Sequence, residues 1–224
     1  AHDADADPSA GAAVYPWLRA RLADLPFPTL LCIGNHDDRA AFLEVFPEHR
    51  DENGFAQRAA QIGGAVALCL DTAERAEGAG RYCGLRRRWL AAQLAALAAA
   101  GGAEGALLFM HHHPIPTHLP RMDAIGLRDA AALGEVLSAA EPPPQAGFFG
   151  HVHFTLDGAL AGVPMHGLPS CNHNGRPDVA AGGLAPDAGA PAVFAHVTMT
   201  EGVLSRVTRP FDPAAAAAAA RNGA

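Results

Sequence analysis

Three short polar clusters carry the chemistry of this chain: Gly34-Asn35-His36-Asp37, His111-His112-His113-Pro114 and Gly150-His151-Val152-His153. Each comes directly after an apolar run, at 29–33, 106–110 and 146–149. Imidazole nitrogens and an amide oxygen suit borderline transition metals such as zinc, manganese or iron. One histidine at a strand end is usually a hydrogen-bonding residue, whereas three histidine-bearing clusters at three strand ends point to a shared centre. His151 and His153 are two residues apart. On an extended strand they would share a side; on a tight loop they could reach two neighbouring ions. Gly34 and Gly150 let the backbone turn sharply into the clusters.

The elements that must position these residues can be read from periodicity and turn chemistry. Val14, Trp17, Leu18, Leu22 and Leu25 recur at helical spacing over 12–25, and Pro26 and Pro28 stop that helix. The apolar run 29–33 reads as a buried strand delivering Asn35. Residues 38–46 suggest a helix ended by Pro47. Residues 55–62 and 65–70 read as strands around the Gly63-Gly64 turn. The Ala-, Leu- and Arg-rich stretch 86–100 is the most helical, closed by Gly101-Gly102. Strand 106–110 runs into the three histidines, helix 128–139 ends before Pro142-Pro143-Pro144, and strand 146–149 runs into Gly150. The chain then changes character. Residues 154–160, 163–167, 192–200 and 203–208 suggest antiparallel strands, and 174–191 reads as a Gly- and Pro-rich loop. The layout is α/β, with a mixed sheet or two sheets. In such folds ligands bind at the carboxyl ends of strands, where all three clusters lie.

Composition limits the function. The 224 residues suffice for one domain with a sizeable core, here 1–212, and then an Ala-rich tail at 213–224 expected to lack fixed structure. All 16 basic residues are Arg, and the net charge is −7. That excludes a protein that coats long nucleic acid, but not one that holds a small phosphate ester through metal ions. No run is long and apolar enough to span a bilayer, so no membrane partner is expected. Cys32, Cys69, Cys83 and Cys171 are scattered without a CxxC pair and read as buried, reduced thiols of a cytoplasmic protein. Arg86-Arg87-Arg88 reads as the solvated face of a helix. His2, His49, His118, His166 and His196 are isolated surface or core residues, while His173 stands between a substrate-facing role and a solvated one.

GNHDD at 34–38, HHHPIP at 111–116, Met122-Asp123 with Gly126-Leu127-Arg128, and GHVH at 150–153 occur in the order of the calcineurin-like metallophosphoesterases. The chain resembles that superfamily from about 12 to 210, and within it the bacterial class III cyclic nucleotide phosphodiesterases. The resemblance implies a four-layer α/β/β/α sandwich with two transition-metal ions, iron, manganese or zinc, at the strand ends. It implies that Asn35, His111 and His151 ligate one ion and His153 the other. Asn35, His36 and His153 would face the substrate. His36 would act in catalysis beside the phosphate, and His112, His113 and Asp37 would fix the loops and support the ligands. The implied reaction is attack of a metal-bridging hydroxide on a small phosphodiester, 3′,5′-cyclic AMP first, with His36 offsetting charge and protonating the leaving oxygen. Loops 117–127 and 170–177 would choose the substrate. By family analogy the enzyme is a homodimer.

The family's opening Asp-x-His and Gly-Asp motifs are not found before Gly34. The chain therefore reads as lacking the first strands of the fold, and it is expected to bind at most about one metal as it stands. Asp3, Asp5 and Asp7 read as an acidic solvated loop rather than replacement ligands. Two alternatives stand beside this reading: a non-catalytic scaffold of the same fold that has lost its metal centre, and a glycerophosphodiester phosphodiesterase.

Overall fold

The computed structural model describes residues 8–74, 77–101 and 105–214, with side chains from Val14 onward. Helix α1 (Pro8–Ala23) leads through an extended segment to α2 (Arg39–Val45) and a 3-10 turn at Pro47–His49. Next come a hairpin of β1 (Arg58–Ile62) and β2 (Ala65–Cys69), then α3 (Gly84–Ala100), β3 (Gly105–Met110), the short α4 (Pro120–Asp123), α5 (Ala130–Ser138) and β4 (Ala146–Phe149). The rest is β: β5 (Leu156–Leu160), β6 (Val163–Gly167), β7 (Asn174–Asp178), β8 (Gly183–Asp187), β9 (Ala192–Thr200) and β10 (Val203–Phe211).

The central sheet has six strands in the order β1-β2-β3-β4-β6-β5. Strands β2, β3, β4 and β6 are parallel, and the two edge strands are antiparallel to their neighbours. Register is continuous through the middle, with Leu68 opposite Leu108 and Leu108 opposite Gly147. Parallel strands place their carboxyl ends on one edge, so the segments leaving Cys69, Met110 and Phe149 meet there. Crossovers α3 and α5 pack on the sheet through Trp89, Leu90, Leu94, Leu133 and Leu137, all buried in one core with Leu68, Leu108 and Phe149. Burying a side chain of this size stabilises by roughly 1.5–3 kcal/mol. The C-cap Gly101 of α3 has φ 63°, the left-handed conformation that ends a helix most easily at glycine. A second core joins Tyr15, Ile33, Phe42, Leu43 and Phe46.

Four expectations need correction. Residues 29–33 belong to no ladder among the described residues. A strand is made by pairing, and this segment is anchored instead by buried Ile33 and by the Cys32 thiol donating to the Phe109 carbonyl at 3.5 Å. Only Cys69 is buried as expected; Cys32 and Cys171 are exposed, Cys83 is half-buried, and all four thiols are free. The stretch 174–191 is not a structureless loop, because β7 and β8 pair from Asn174↔Asp187 to Asp178↔Gly183. A two-stranded ribbon leaves outward backbone groups to solvent, so it tolerates Pro177 and Pro186 where a central strand would not. The ribbon docks on α4, where the Arg121 amide donates to the Gly182 carbonyl at 2.8 Å. Finally, Arg86 is no solvated residue. It is buried, lies over the Phe55 ring at 4.3 Å, and donates to the carbonyls of Asp71 and Arg81 and to the Glu74 carboxylate. A helical charge run spans about one full turn, so one of its members necessarily faces inward.

The β9–β10 hairpin turns at Glu201-Gly202 with positive φ at both residues, as a two-residue hairpin of this twist requires. His2 and most of the Ala-rich tail lie outside the described residues. No helix among the described residues is long and apolar enough to cross a membrane.

Candidate metal centre

The first cluster is a tight turn tied by Asp37. The Asp37 carboxylate accepts from the Gly34 amide and from the Tyr15 hydroxyl, each at 2.7 Å, and the Asp37 amide returns to the Gly34 carbonyl at 3.2 Å. Burial and the neighbouring Asp37 push the Tyr15 phenol well above its usual range, so it stays a donor. Asp38 caps α2 by accepting from the Ala41 amide at 3.0 Å. The turn leaves Asn35 half-buried and His36 exposed.

His111 comes directly after β3. Its Nε2 lies 2.9 Å from Asn35 Oδ1 and 3.0 Å from His151 Nδ1. Ligands around one zinc-sized ion, each about 2.1 Å from it, are themselves about 3.3 Å apart. Three of the four residues expected to bind metal therefore converge at ligand spacing. A grouping of His111, His112 and His151 is similarly close, with one ring nitrogen of each within 4.8 Å of the others. His153 does not join them. Its Nδ1 donates to the His173 carbonyl at 2.9 Å, and its ring lies 4.3 Å from that of His173. His173 thus sits against His153.

The two-residue spacing of His151 and His153 resolves in favour of the loop. Both have left-handed φ, 64° and 58°. This conformation is costly for residues other than glycine and persists only where the surroundings demand it. Between them Val152 is fully buried and its amide donates to the Gly150 carbonyl at 2.7 Å. The pinned valine turns the two imidazoles apart.

Burial first, then the neighbouring imidazoles, pushes His111 and His151 down to about 3, and His112 likewise. All three are neutral near pH 7 and present lone pairs, the state a metal requires. The buried Nε2 atoms of His112 and His151 have no hydrogen-bond partner. Neutral imidazoles with orphaned nitrogens beside an amide oxygen fit a borderline transition metal.

Glycines seat the histidine run. A Cβ on Gly34 would fall 2.9 Å from His111 ring atoms, one on Gly80 2.4 Å from His112, and one on Gly126 2.7 Å from His113. The seats come from three different loops. Two of them are tied together, with the Gly80 amide donating to the Gly126 carbonyl at 3.1 Å. His113 is buried with both ring nitrogens unpartnered, stacks on His151 at 5.7 Å, and accepts the Leu127 amide on its carbonyl at 3.0 Å. The 117–127 loop is closed by Asp123, which accepts from the Thr117 amide and hydroxyl at 2.7 Å each. Burial opposes ionisation of Asp123, yet the Thr117 contacts hold its carboxyl below the usual range.

Sequence reasoning missed Tyr15, Thr72 and Gly80 around this centre, and it marked Gly126 without its seating of His113. Thr72 lies just beyond β2 on the same sheet edge as the histidines, and that position is the only signal that could have marked it. The remaining histidines lie elsewhere: His49 in the second core, His166 on Asp157 at 2.8 Å, and His118 and His196 exposed.

No protein-family model matches the chain. Curated relatives do. It is 36% identical over 188 residues to a probable cyclic nucleotide phosphodiesterase of Rhodopseudomonas palustris, covering 83% of this chain and 67% of the relative. It is 32% identical to a cAMP/cGMP dual specificity phosphodiesterase of Mycobacterium tuberculosis, covering 67% of this chain and 46% of the relative. It is 30% identical to a glycerophosphodiester phosphodiesterase of Enterobacter lignolyticus, covering 73% and 61%. The chain thus spans about two thirds of the length of the first relative and about half of the second.

Proposed function

Because the chain belongs to the phosphodiesterase family of these relatives, the metallophosphoesterase type, we propose that it serves hydrolysis of a small phosphodiester, 3′,5′-cyclic AMP first. The observation that carries this reading is the meeting of Asn35 Oδ1, His111 Nε2 and His151 Nδ1 at 2.9–3.0 Å on the sheet's carboxyl edge. We read the six-stranded sheet as one of the two sheet layers of a four-layer sandwich.

Bound transition-metal ions, iron, manganese or zinc, supply Lewis acidity toward a phosphoryl oxygen and water of lowered pKa. In this reading Asn35, His111 and His151 hold one ion and His153 reaches toward a second. His36, exposed beside the cluster, binds the phosphoryl oxygens and gives a proton to the leaving sugar oxygen, a task open to an imidazole N–H. Asp37 and Tyr15 keep the His36 turn closed. The loops 117–127 and 170–177 flank the centre and set which diester fits.

The test is hydrolysis of cyclic AMP against a glycerophosphodiester by the manganese-supplemented chain. Faster turnover of cyclic AMP supports the reading, preference for the glycerophosphodiester moves the substrate to that class, and inertness toward both overturns it.

A further inference from the structure

We propose that Thr72 is a positioning residue for the histidine cluster and acts through His112. Its hydroxyl lies 2.8 Å from His112 Nδ1 and accepts the His112 amide at 3.3 Å, so one oxygen grips both the ring and the backbone of the same residue. Both residues are fully buried, so water cannot replace that contact. Thr72 is itself held fast. The Asp71 side chain before it takes the Arg39 guanidinium and the amides of Ala56 and Ala73. Arg86 donates to the Asp71 carbonyl, and the Arg81 amide donates to the Thr72 carbonyl at 3.0 Å.

The His112 ring has nowhere else to go. Gly80 packs so closely that a Cβ there would fall 2.4 Å from the ring, and the ring centroids of His111 and His151 lie 4.9 Å and 4.7 Å away. A swing of His112 therefore displaces His111, which meets Asn35, and His151, which meets His111. Partners one step beyond a metal's ligands orient those ligands, and losing one usually costs about 10–100-fold in metal affinity. A residue that only filled space at position 72 would be replaced by valine, which has nearly the same shape, without consequence for metal.

This inference rests on the reading of the cluster as a metal centre. The test is zinc binding to the 224-residue chain by titration calorimetry. Thr72→Val is expected to weaken zinc binding about tenfold, and Thr72→Ser to restore it to within about twofold. In a His112→Ala background, Thr72→Val is expected to have no further effect, because the pathway is already cut. Equal zinc affinity of wild type and Thr72→Val overturns this inference alone, as does a full Thr72→Val effect in the His112→Ala background. Failure of the unaltered chain to bind zinc overturns the metal reading and this inference with it. Imidazole ¹⁵N spectra of the unaltered chain give a reading that needs no variant. A single His112 tautomer supports the grip of Thr72, and two tautomers in exchange overturn it.

Discussion

Two buried histidine environments in this molecule look alike by titration and differ in everything else. His49 sits in the second core against the rings of Phe42 and Phe46, at 5.5 and 6.3 Å. Burial, then the nearby Arg58, pushes it down to about 4, and its Nδ1 has no partner. His111, His112 and His151 are pushed down to about 3 by burial and by each other. His49 packs against aromatic rings and its Nδ1 meets no donor or acceptor, whereas His111 Nε2 meets both His151 Nδ1 and the oxygen of Asn35. A lowered pKa therefore reports burial. Convergence of lone pairs is what separates a ligand set from a core histidine.

That contrast can be broken in several ways, and the largest effect belongs to the element that joins the two regions. Asp71 is fully buried and binds Arg39 of α2, the Ala56 and Ala73 amides of the second core, and the segment leading to Thr72. Asp71→Asn leaves the Arg39 charge without its counterion, and such losses cost about 3–5 kcal/mol. Denaturant titration is expected to show a midpoint shifted down with little change in slope. A near-wild-type midpoint would separate the two regions energetically.

Next in size is the direct comparison of the two sites. His111→Ala is expected to lower zinc affinity by about 100-fold or more, since a donor is lost outright. Calorimetry on His49→Ala should give the wild-type zinc affinity even if that protein is less stable. Parallel losses in both variants would make the contrast one of folding only.

Acid should weaken both regions. The folded values of His49, His111, His112 and His151 lie below the unfolded value of about 6.5. Between about pH 6.5 and those folded values the unfolded chain binds the extra protons, so stability falls as pH falls. Each such group contributes about 1.4 kcal/mol per pH unit within its window. Thermal unfolding measured from pH 7.5 to 5 is expected to show a falling midpoint. Midpoints that stay level through that range would mean that the imidazoles take up protons in the fold as readily as in the unfolded chain.

The smallest effect sharpens the contrast most. His49→Leu removes an unpartnered buried nitrogen and keeps an apolar body, so stability should change by no more than about 1 kcal/mol at pH 7.5. Its loss of stability toward pH 5 should also be shallower than that of the wild type. An unchanged slope would locate the acid sensitivity wholly at the strand ends.

Much of this was legible from residue types. The apolar runs 106–110 and 146–149 could only be buried strands, and their parallel pairing brought His111 and His151 to one edge as the strand–helix alternation implied. Gly63-Gly64 and Gly101 marked their turn and helix end because glycine accepts left-handed φ easily. Other features were hidden for physical reasons. Segment 29–33 reads as a strand, but pairing is a property of neighbours and not of the segment. The 174–191 ribbon has too many Gly and Pro residues to announce itself, and its strands need only each other. Arg86 looked solvated because nothing local shows that Phe55 and the Asp71 carbonyl wait behind it.

The amino-acid sequence by itself determined the α/β class, the placing of three polar clusters after three apolar runs, and the donor types offered there. Those depend on local periodicity and side-chain chemistry, which need no knowledge of distant residues. The tertiary structure alone decided which donors meet. It turned His153 away toward His173, brought Asn35 to His111, and set Thr72 and three glycines around the histidine run. The hydrogen bonds among these contacts join residues up to 76 positions apart. They are fixed by packing and by the left-handed turns at His151 and His153, which only the whole fold can hold in place.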